Sequence, residues 1–352
     1  MHFQFTDEQR EFGDAVSSYF MNEATPELAR KLWETPTGRS PEMWARLAEQ
    51  GLTGLSVPQE FGGLGKHDDD WSLMTQTIGY YGGSDGLFET AWIAAGLLQA
   101  LPIESAIRST WLARIAAGQA RVSVGHPVNP LVSDAHVADL LLLEHAGEVH
   151  ALTRDQVSLA ARRSIDPSRR LFAVQWTPSA ATCIAAAEPG RRLWADALDR
   201  GALCVAGQMN GLTQHIIDLS VDYSAQRKQF GKAIGSFQAV KHQLADVAIK
   251  LEFAKPVAYR AAYALAHGQP QRAVHVSHAK LCATEAARLA CRNGIQVHGA
   301  IGYTWEMDLQ IFVKRVWALD ATWGDEAFHK MRVADFLFDA DADIGPGRTF
   351  PD

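Results

Sequence analysis

The sequence predicts a mainly α protein in three parts. These are an N-terminal helical domain over residues 1–120, a reduced middle β domain over 121–190 and a C-terminal four-helix bundle over 191–352. Apolar residues recur at helical spacing on both flanks, as in Phe12, Val16 and Phe20 and again in Val240, Leu244, Val247, Leu251 and Ala254. Short apolar runs separated by turn residues fill only the middle. A 47% hydrophobic content over 352 residues supports a large globular core.

In the first part, Thr6 and Gln9 have the spacing of a capping box, so a helix starts at Thr6. Ser40-Pro41 starts another, because proline at the first helical position forfeits only an N–H that has no partner there; it ends near Gly51. Residues 57–65 form a glycine-rich loop without the GxGxxG pattern that follows a strand, which excludes a Rossmann phosphate loop. Helical patterns cover Trp71 to Tyr81 and Phe88 to Leu101. In the middle, Arg121–Val124, Leu140–Glu144, Val149–Leu152 and Leu171–Trp176 read as strands, with turns at Gly147-Glu148 and Asp166-Pro167.

The third part carries the most informative stretch. Leu203, Met209, Leu212, Ile216 and Leu219 form a helical stripe that ends in a basic, amide-rich turn from Tyr223 to Gln238. Arg227 and Lys228 offer donors for a phosphate, and guanidinium matches phosphate oxygens with paired hydrogen bonds. Gln229 and Gln238 offer amides for the edge of a heterocycle, and Phe230 a flat apolar face. Gly231 and Gly235 interrupt the helix and let backbone approach a ligand. The chemistry suits a phosphate-bearing, ring-containing cofactor; a solvated turn between helices is the alternative. An alanine-rich helix over Leu281–Arg292 leads to a second glycine-bearing turn at Gln296–Tyr303. A helix from about Glu306 to Leu319, a break at Trp323–Glu326 and a helix over Ala327–Leu337 complete the bundle.

The bulk numbers narrow the partners. A net charge of -7 argues against nucleic acid. The four cysteines form no CxxC pair and read as reduced thiols rather than a disulfide frame or zinc site. His275 and His278 share a helix face without a third ligand at metal spacing, so they read as surface histidines. The stretch from Met1 to Glu8 lacks the basic-then-apolar pattern of a signal peptide, and no apolar run spans a bilayer. A cytoplasmic location is the expectation.

These motifs, in order, carry a resemblance. Phe5–Phe12, Trp44–Gly65, Gln226–Gly231, Phe237-Gln238 and Gln296–Tyr303 resemble the acyl-CoA dehydrogenases, flavoenzymes that oxidise the Cα–Cβ bond of acyl-CoA thioesters. The resemblance implies a tetramer with FAD between subunits. Arg227 would then contact the flavin pyrophosphate. Gln229, Phe230, Ile234, Phe237 and Gln238 would line the adenosine end, and Gln296, Val297 and Ala300 would complete it. Ala300 stands where the family usually carries a second glycine. Gly302–Glu306 is similar to members acting on steroid-linked or bulky acyl-CoAs, and an electron-transferring flavoprotein is the acceptor the family implies.

The sequence departs from the family where the chemistry lies. Removing the Cα proton needs a base within hydrogen-bond reach. Most members place a glutamate where this chain has Trp323, and others place it where this chain has Gly201. Asp325 and Glu326 remain nearby, but read as the cap and first-turn charge of the next helix. Glu306 reads as a structural carboxylate pairing with Arg315. The family's flavin-ring loops have no match between Ala120 and Gly190, where residues 125–130 bring different chemistry. The resemblance therefore points to the base-less subunit of a heteromeric (α2β2) acyl-CoA dehydrogenase, paired with a full-length homologue. The alternatives are a self-sufficient enzyme with Glu326 or Asp325 as relocated base, and a flavin-free CoA-ester binding or scaffold protein.

Overall fold

A computed structural model describes residues 4–83, 86–339, 341–342 and 344–345. Met1 to Phe3, which open the N-terminal stretch read for a signal peptide, lie outside these residues, as do 346–352 of the C-terminal part.

In chain order the helices are α1 (Asp7–Glu23), α2 (Pro26–Trp33), α3 (Pro41–Glu49), α4 (Trp71–Tyr80), α5 (Gly86–Phe88), α6 (Ala95–Gln99), α7 (Ala106–Ala116), α8 (Ala187–Gln226), α9 (Gln238–Ala266), α10 (Arg272–His298), α11 (Leu309–Asp320) and α12 (Glu326–Leu337). The capping box forms: Gln9 N donates to Thr6 Oγ1 at 3.2 Å, and Thr6 N to Gln9 Oε1 at 3.0 Å. Ser40 caps α3 through Met43 N at 3.0 Å. Helices α2 and α7 were not expected, although Thr25 and Ser105 cap them in the same way. A π-helical stretch, Glu89–Ala94, joins α5 to α6. The helix expected from Glu306 begins at Leu309.

The strands are β1 (Val122–Gly125), β2 (Val132–Ser133), β3 (Leu140–His145), β4 (Glu148–Thr153), β5 (Ser158–Arg162), β6 (Leu171–Gln175), β7 (Cys183–Ala185), β8 (Lys228–Gln229) and β9 (Lys232–Ala233). The sequence missed β2, β5, β7, β8 and β9. Four of these are only two or three residues long, and β5 is mostly exposed, so none carries an alternating apolar signal.

The chain divides into two compact units. One comprises Met1–Met21, Asp69–Gly82 and Ala202–Asp352. Val16 and Phe20 of α1, Met74 and Ile78 of α4 and Met209, Leu212 and Ile216 of α8 are buried there. Helix α4 crosses α8 at glycines. A Cβ on Gly207 would lie 2.0 Å from Thr75 Oγ1, and one on Gly211 2.0 Å from Gln76 O. No larger residue permits this approach. Helix α10 buries alanines at 279, 283, 286, 287 and 290 and carries polar residues to α11 and α12.

The other unit comprises Asn22–Asp68 and Gly83–Gly201. One sheet runs β1-β3-β4-β7 and a second β2-β6-β5. β1 lies parallel to β3, and β3 and β4 form an antiparallel hairpin. Its turn residues Ala146 and Gly147 take φ of 53° and 88°, the left-handed pair of a tight hairpin. Val132, Leu141, Leu143, Leu152 and Val157 belong to the core beside these sheets. The π-helical stretch satisfies edge strand β1. Glu89 Oε1 accepts from Val124 N at 2.9 Å, and Thr90 Oγ1 from Val122 N at 3.0 Å. Arg39 and Asp134 form a buried ion pair. No described helix is long and apolar enough to cross a membrane.

Candidate functional site

The turn after α8 is a β-hairpin. Lys228 pairs with Ala233 and Gln229 with Lys232, which leaves Phe230 and Gly231 as the connecting residues. Both have positive φ, 53° and 80°. Left-handed backbone is easy for Gly231 but costs a phenylalanine roughly 1–2 kcal/mol. The hairpin thereby holds Phe230 out from the surface, 91% exposed. Behind it, Ile234 N donates to Arg227 O at 2.8 Å and a 3₁₀ turn leads to Phe237, which precedes α9. Phe230 and Phe237 meet edge to face at 6.2 Å, and Lys232 Nζ sits 4.4 Å above the Phe237 ring.

The second turn adjoins the first. Tyr223 of α8 stacks on His298 of α10 with centroids 4.4 Å apart and planes at 22°. This contact ties the base of the hairpin to the end of α10, where Gly299 takes φ 67° and opens a 3₁₀ helix that runs to Tyr303. Arg227, Gln229, Gln238, Gln296 and Ala300 are exposed, Ile234 and Phe237 half-buried, and Val297 buried. That stack brings the bases of the two turns together, and Val297 is buried rather than on the surface. The side chains of Arg227, Gln229, Gln238 and Gln296 make no hydrogen bond or ion pair among the described residues. A cation, three amides and exposed aromatic faces on two adjoining turns can hold an anion and a planar ring together.

The turn between α11 and α12 is clamped by polar residues of α10. Lys280, 2% exposed, donates to Asp320 O at 2.9 Å and Leu319 O at 3.2 Å, closing the end of α11. Arg288 grips both oxygens of Asp320 at 2.8 Å and also pairs with Glu326. His329, fully buried, reaches Trp323 O with Nε2 at 2.9 Å and Ser277 Oγ with Nδ1 at 3.1 Å. Since the carbonyl only accepts, Nε2 carries the proton and Nδ1 accepts from Ser277. Trp323 takes φ 57°, a costly conformation for a bulky side chain, and is 6% exposed.

Asp325 caps α12, accepting from Phe328 N at 2.8 Å, the role expected for it. Glu326 is held by Lys330 and Arg288, whose hydrogen bonds lower its pKa to about 2. Gly201 is buried within α8 and offers no functional group.

Two expectations are corrected. Glu306 is exposed and pairs with no described basic residue, while Arg315 is buried. His275 is not a surface residue: it is buried, and its Nε2 lies 3.1 Å from Arg260 Nη2. The clamp of Ser277, Lys280 and Arg288 went unread in the sequence. Polar residues on one face of an alanine-rich helix were its signal.

Residues 6–119 match the acyl-CoA dehydrogenase N-terminal domain and residues 188–338 the C-terminal domain. The chain is 30% identical over 313 residues to acyl-CoA dehydrogenase IpdE2 of Mycolicibacterium smegmatis, covering 88% of this chain and 92% of the relative. It is 28% identical over 310 residues to IpdE2 of Mycobacterium tuberculosis, covering 88% and 91%. Its fold is that of a chain in the ChsE4–ChsE5 complex of Mycobacterium tuberculosis (TM-score 0.86, 20% identity, 97% of this chain and 100% of that one). It is likewise that of butyryl-CoA dehydrogenase from Megasphaera elsdenii (TM-score 0.85, 19% identity, 96% and 100%). The domain matches and the relatives that span most of its length agree: the chain belongs to the acyl-CoA dehydrogenase family.

Proposed function

We propose that this chain is the base-less subunit of a heteromeric, FAD-dependent acyl-CoA dehydrogenase, and that a full-length homologue supplies the base and the shelf for the flavin ring. The observation that carries this reading is Trp323. The sequence resemblance aligns it with the family's base, its carbonyl is held by His329 on a turn of positive φ, and indole accepts no proton at neutral pH. The nearby carboxylates are committed elsewhere, Asp325 to a cap and Glu326 to ion pairs. A carboxyl held near 2 is also far from the neutral range that favours a general base.

Members of this family are FAD flavoproteins, and the two adjoining turns fit the adenosine half of that cofactor. Arg227 binds the pyrophosphate through its fork. Gln229, Gln238 and Gln296 hydrogen-bond the polar edges, and Phe230, Ile234 and Phe237 cover the ring faces. Val297 and Ala300 complete the adenosine end from the second turn. An added Cβ at Gly231 or Gly299 would meet nothing within 4 Å, so the backbone is open to a ligand there. When bound, FAD supplies the hydride acceptor for α,β-dehydrogenation of an acyl-CoA thioester. The exposure of Phe230 supports a flavin shared across an interface, since a solvent-facing phenylalanine on a strained turn gains nothing from water. Kinship of fold with a two-protein complex supports an α2β2 assembly. A bulky, steroid-linked acyl group as substrate and an electron-transferring flavoprotein as acceptor complete the proposal.

The visible spectrum tests it. Purified alone, the chain is expected to be colourless; co-expressed with a full-length homologue, it is expected to co-purify yellow. A yellow homo-oligomer from this chain alone overturns the proposal. A colourless pair that still binds a CoA ester marks it as a flavin-free binding protein.

A further inference from the structure

The middle β region brings together residues that no sequence spacing joins. In the β3–β4 hairpin His145 lies opposite Glu148, and Leu143 opposite His150. Across the other edge of β4, His150 lies opposite Cys183 of β7, next to an irregularity at Val149/His150. Directly paired residues share a face of a sheet, so His145, Glu148, His150 and Cys183 lie on one side. Ligand atoms of Glu148, His150 and Cys183 lie within 4.8 Å of one another.

Nδ1 of His150 lies 3.0 Å from Thr182 Oγ1, and Nε2 lies 3.0 Å from Glu148 Oε2. With no metal bound, Nε2–H donates to Glu148 and Nδ1 accepts from the Thr182 hydroxyl. In the other tautomer Nδ1–H donates to Thr182 Oγ1, which itself donates to Ser179 O at 3.0 Å, and the Nε2 lone pair then faces the Glu148 carboxylate, where a metal ion can be shared. Cys183 Sγ, a soft donor, stands beside them.

We propose that Glu148, His150 and Cys183 bind a divalent cation of the zinc class, with the fourth position open beside His145. Imidazole, thiolate and carboxylate together select zinc or cobalt over magnesium or calcium. Tetrahedral coordination at about 2.0–2.3 Å needs only a small inward turn of the three side chains. Thr182 is the orienting partner that a metal-bound histidine requires on its other nitrogen. His150 is 1% exposed and rigidly held, whereas the Glu148 side chain is 37% exposed and gives the ion a route in. The ring of Trp176, 4.9 Å from that of His150, shields the apolar side.

The test is a cobalt titration of the full purified chain after chelation, read by optical absorption and by metal content. One equivalent is expected, with a thiolate-to-cobalt charge-transfer band. Cys183→Ser should abolish that band and weaken binding at least tenfold. Thr182→Val removes no ligand and should weaken binding about 10–100-fold. Circular dichroism of each variant shows whether it has folded. Absence of saturable binding in the folded wild type, or equal binding and spectra in folded wild type and Cys183→Ser, overturns the proposal and leaves only the hydrogen bond between His150 and Glu148.

Discussion

Replacing Arg227 by alanine separates a ligand-binding role from a structural one. In this chain the guanidinium is exposed and makes no hydrogen bond or ion pair among the described residues. Folding should therefore be indifferent to it, within about 0.5 kcal/mol. In the flavin-loaded assembly it would make charge-assisted hydrogen bonds to phosphate, worth about 1.5–3 kcal/mol. At 1.4 kcal/mol per decade, FAD affinity should fall about 10–150-fold. Arg227→Lys keeps the charge and loses the fork, so it should fall between. The assay is FAD titration of the apo-assembly by flavin fluorescence, with thermal unfolding of the isolated chain alongside. Unchanged FAD affinity, or a collapse of stability without flavin, would refute the reasoning.

Gly211→Ala drives a Cβ to 2.0 Å from Gln76 O at the α4–α8 crossing and should cost about 1–3 kcal/mol by chemical denaturation; an unchanged midpoint would contradict that packing. Glu326→Gln should leave acyl-CoA turnover of the assembly unchanged, whereas a fall of about 10²–10⁴ would make it the base. His329 and His275 have pKa values lowered from 6.5 to about 4, chiefly by burial. Both stay neutral when folded while the unfolded chain takes up protons. Their contribution is thus complete above about pH 6.5 and is lost as pH falls toward 4, at most about 3 kcal/mol for His329. Urea midpoints at pH 7 and pH 5 check the sign; greater stability at pH 5 would contradict it.

The helices were legible where caps and apolar spacing coincide, as at Thr6, Ser40 and the stripe from Leu203 to Leu219. Helices α2 and α7 carry good caps but no long stripe, and short strands such as β7 carry no alternation. The two turns were legible as chemistry, because Arg227 and the glutamines sit close in sequence. Their junction through Tyr223 and His298 was not, since it joins residues distant in the chain. The hairpin that projects Phe230 was hidden for another reason: it places a phenylalanine where turn preferences call for asparagine or glycine. The group at Glu148, His150 and Cys183 depends on strand register, which no linear motif encodes.

The most direct measurement is acyl-CoA oxidation by this chain alone and by its co-purified pair, with native mass spectrometry identifying the active species. The expected result is turnover only in the pair, in an assembly containing both chains and flavin. A homotetramer of this chain that carries FAD and oxidises an acyl-CoA without a partner would contradict the reading of Trp323 as the mark of a lost base.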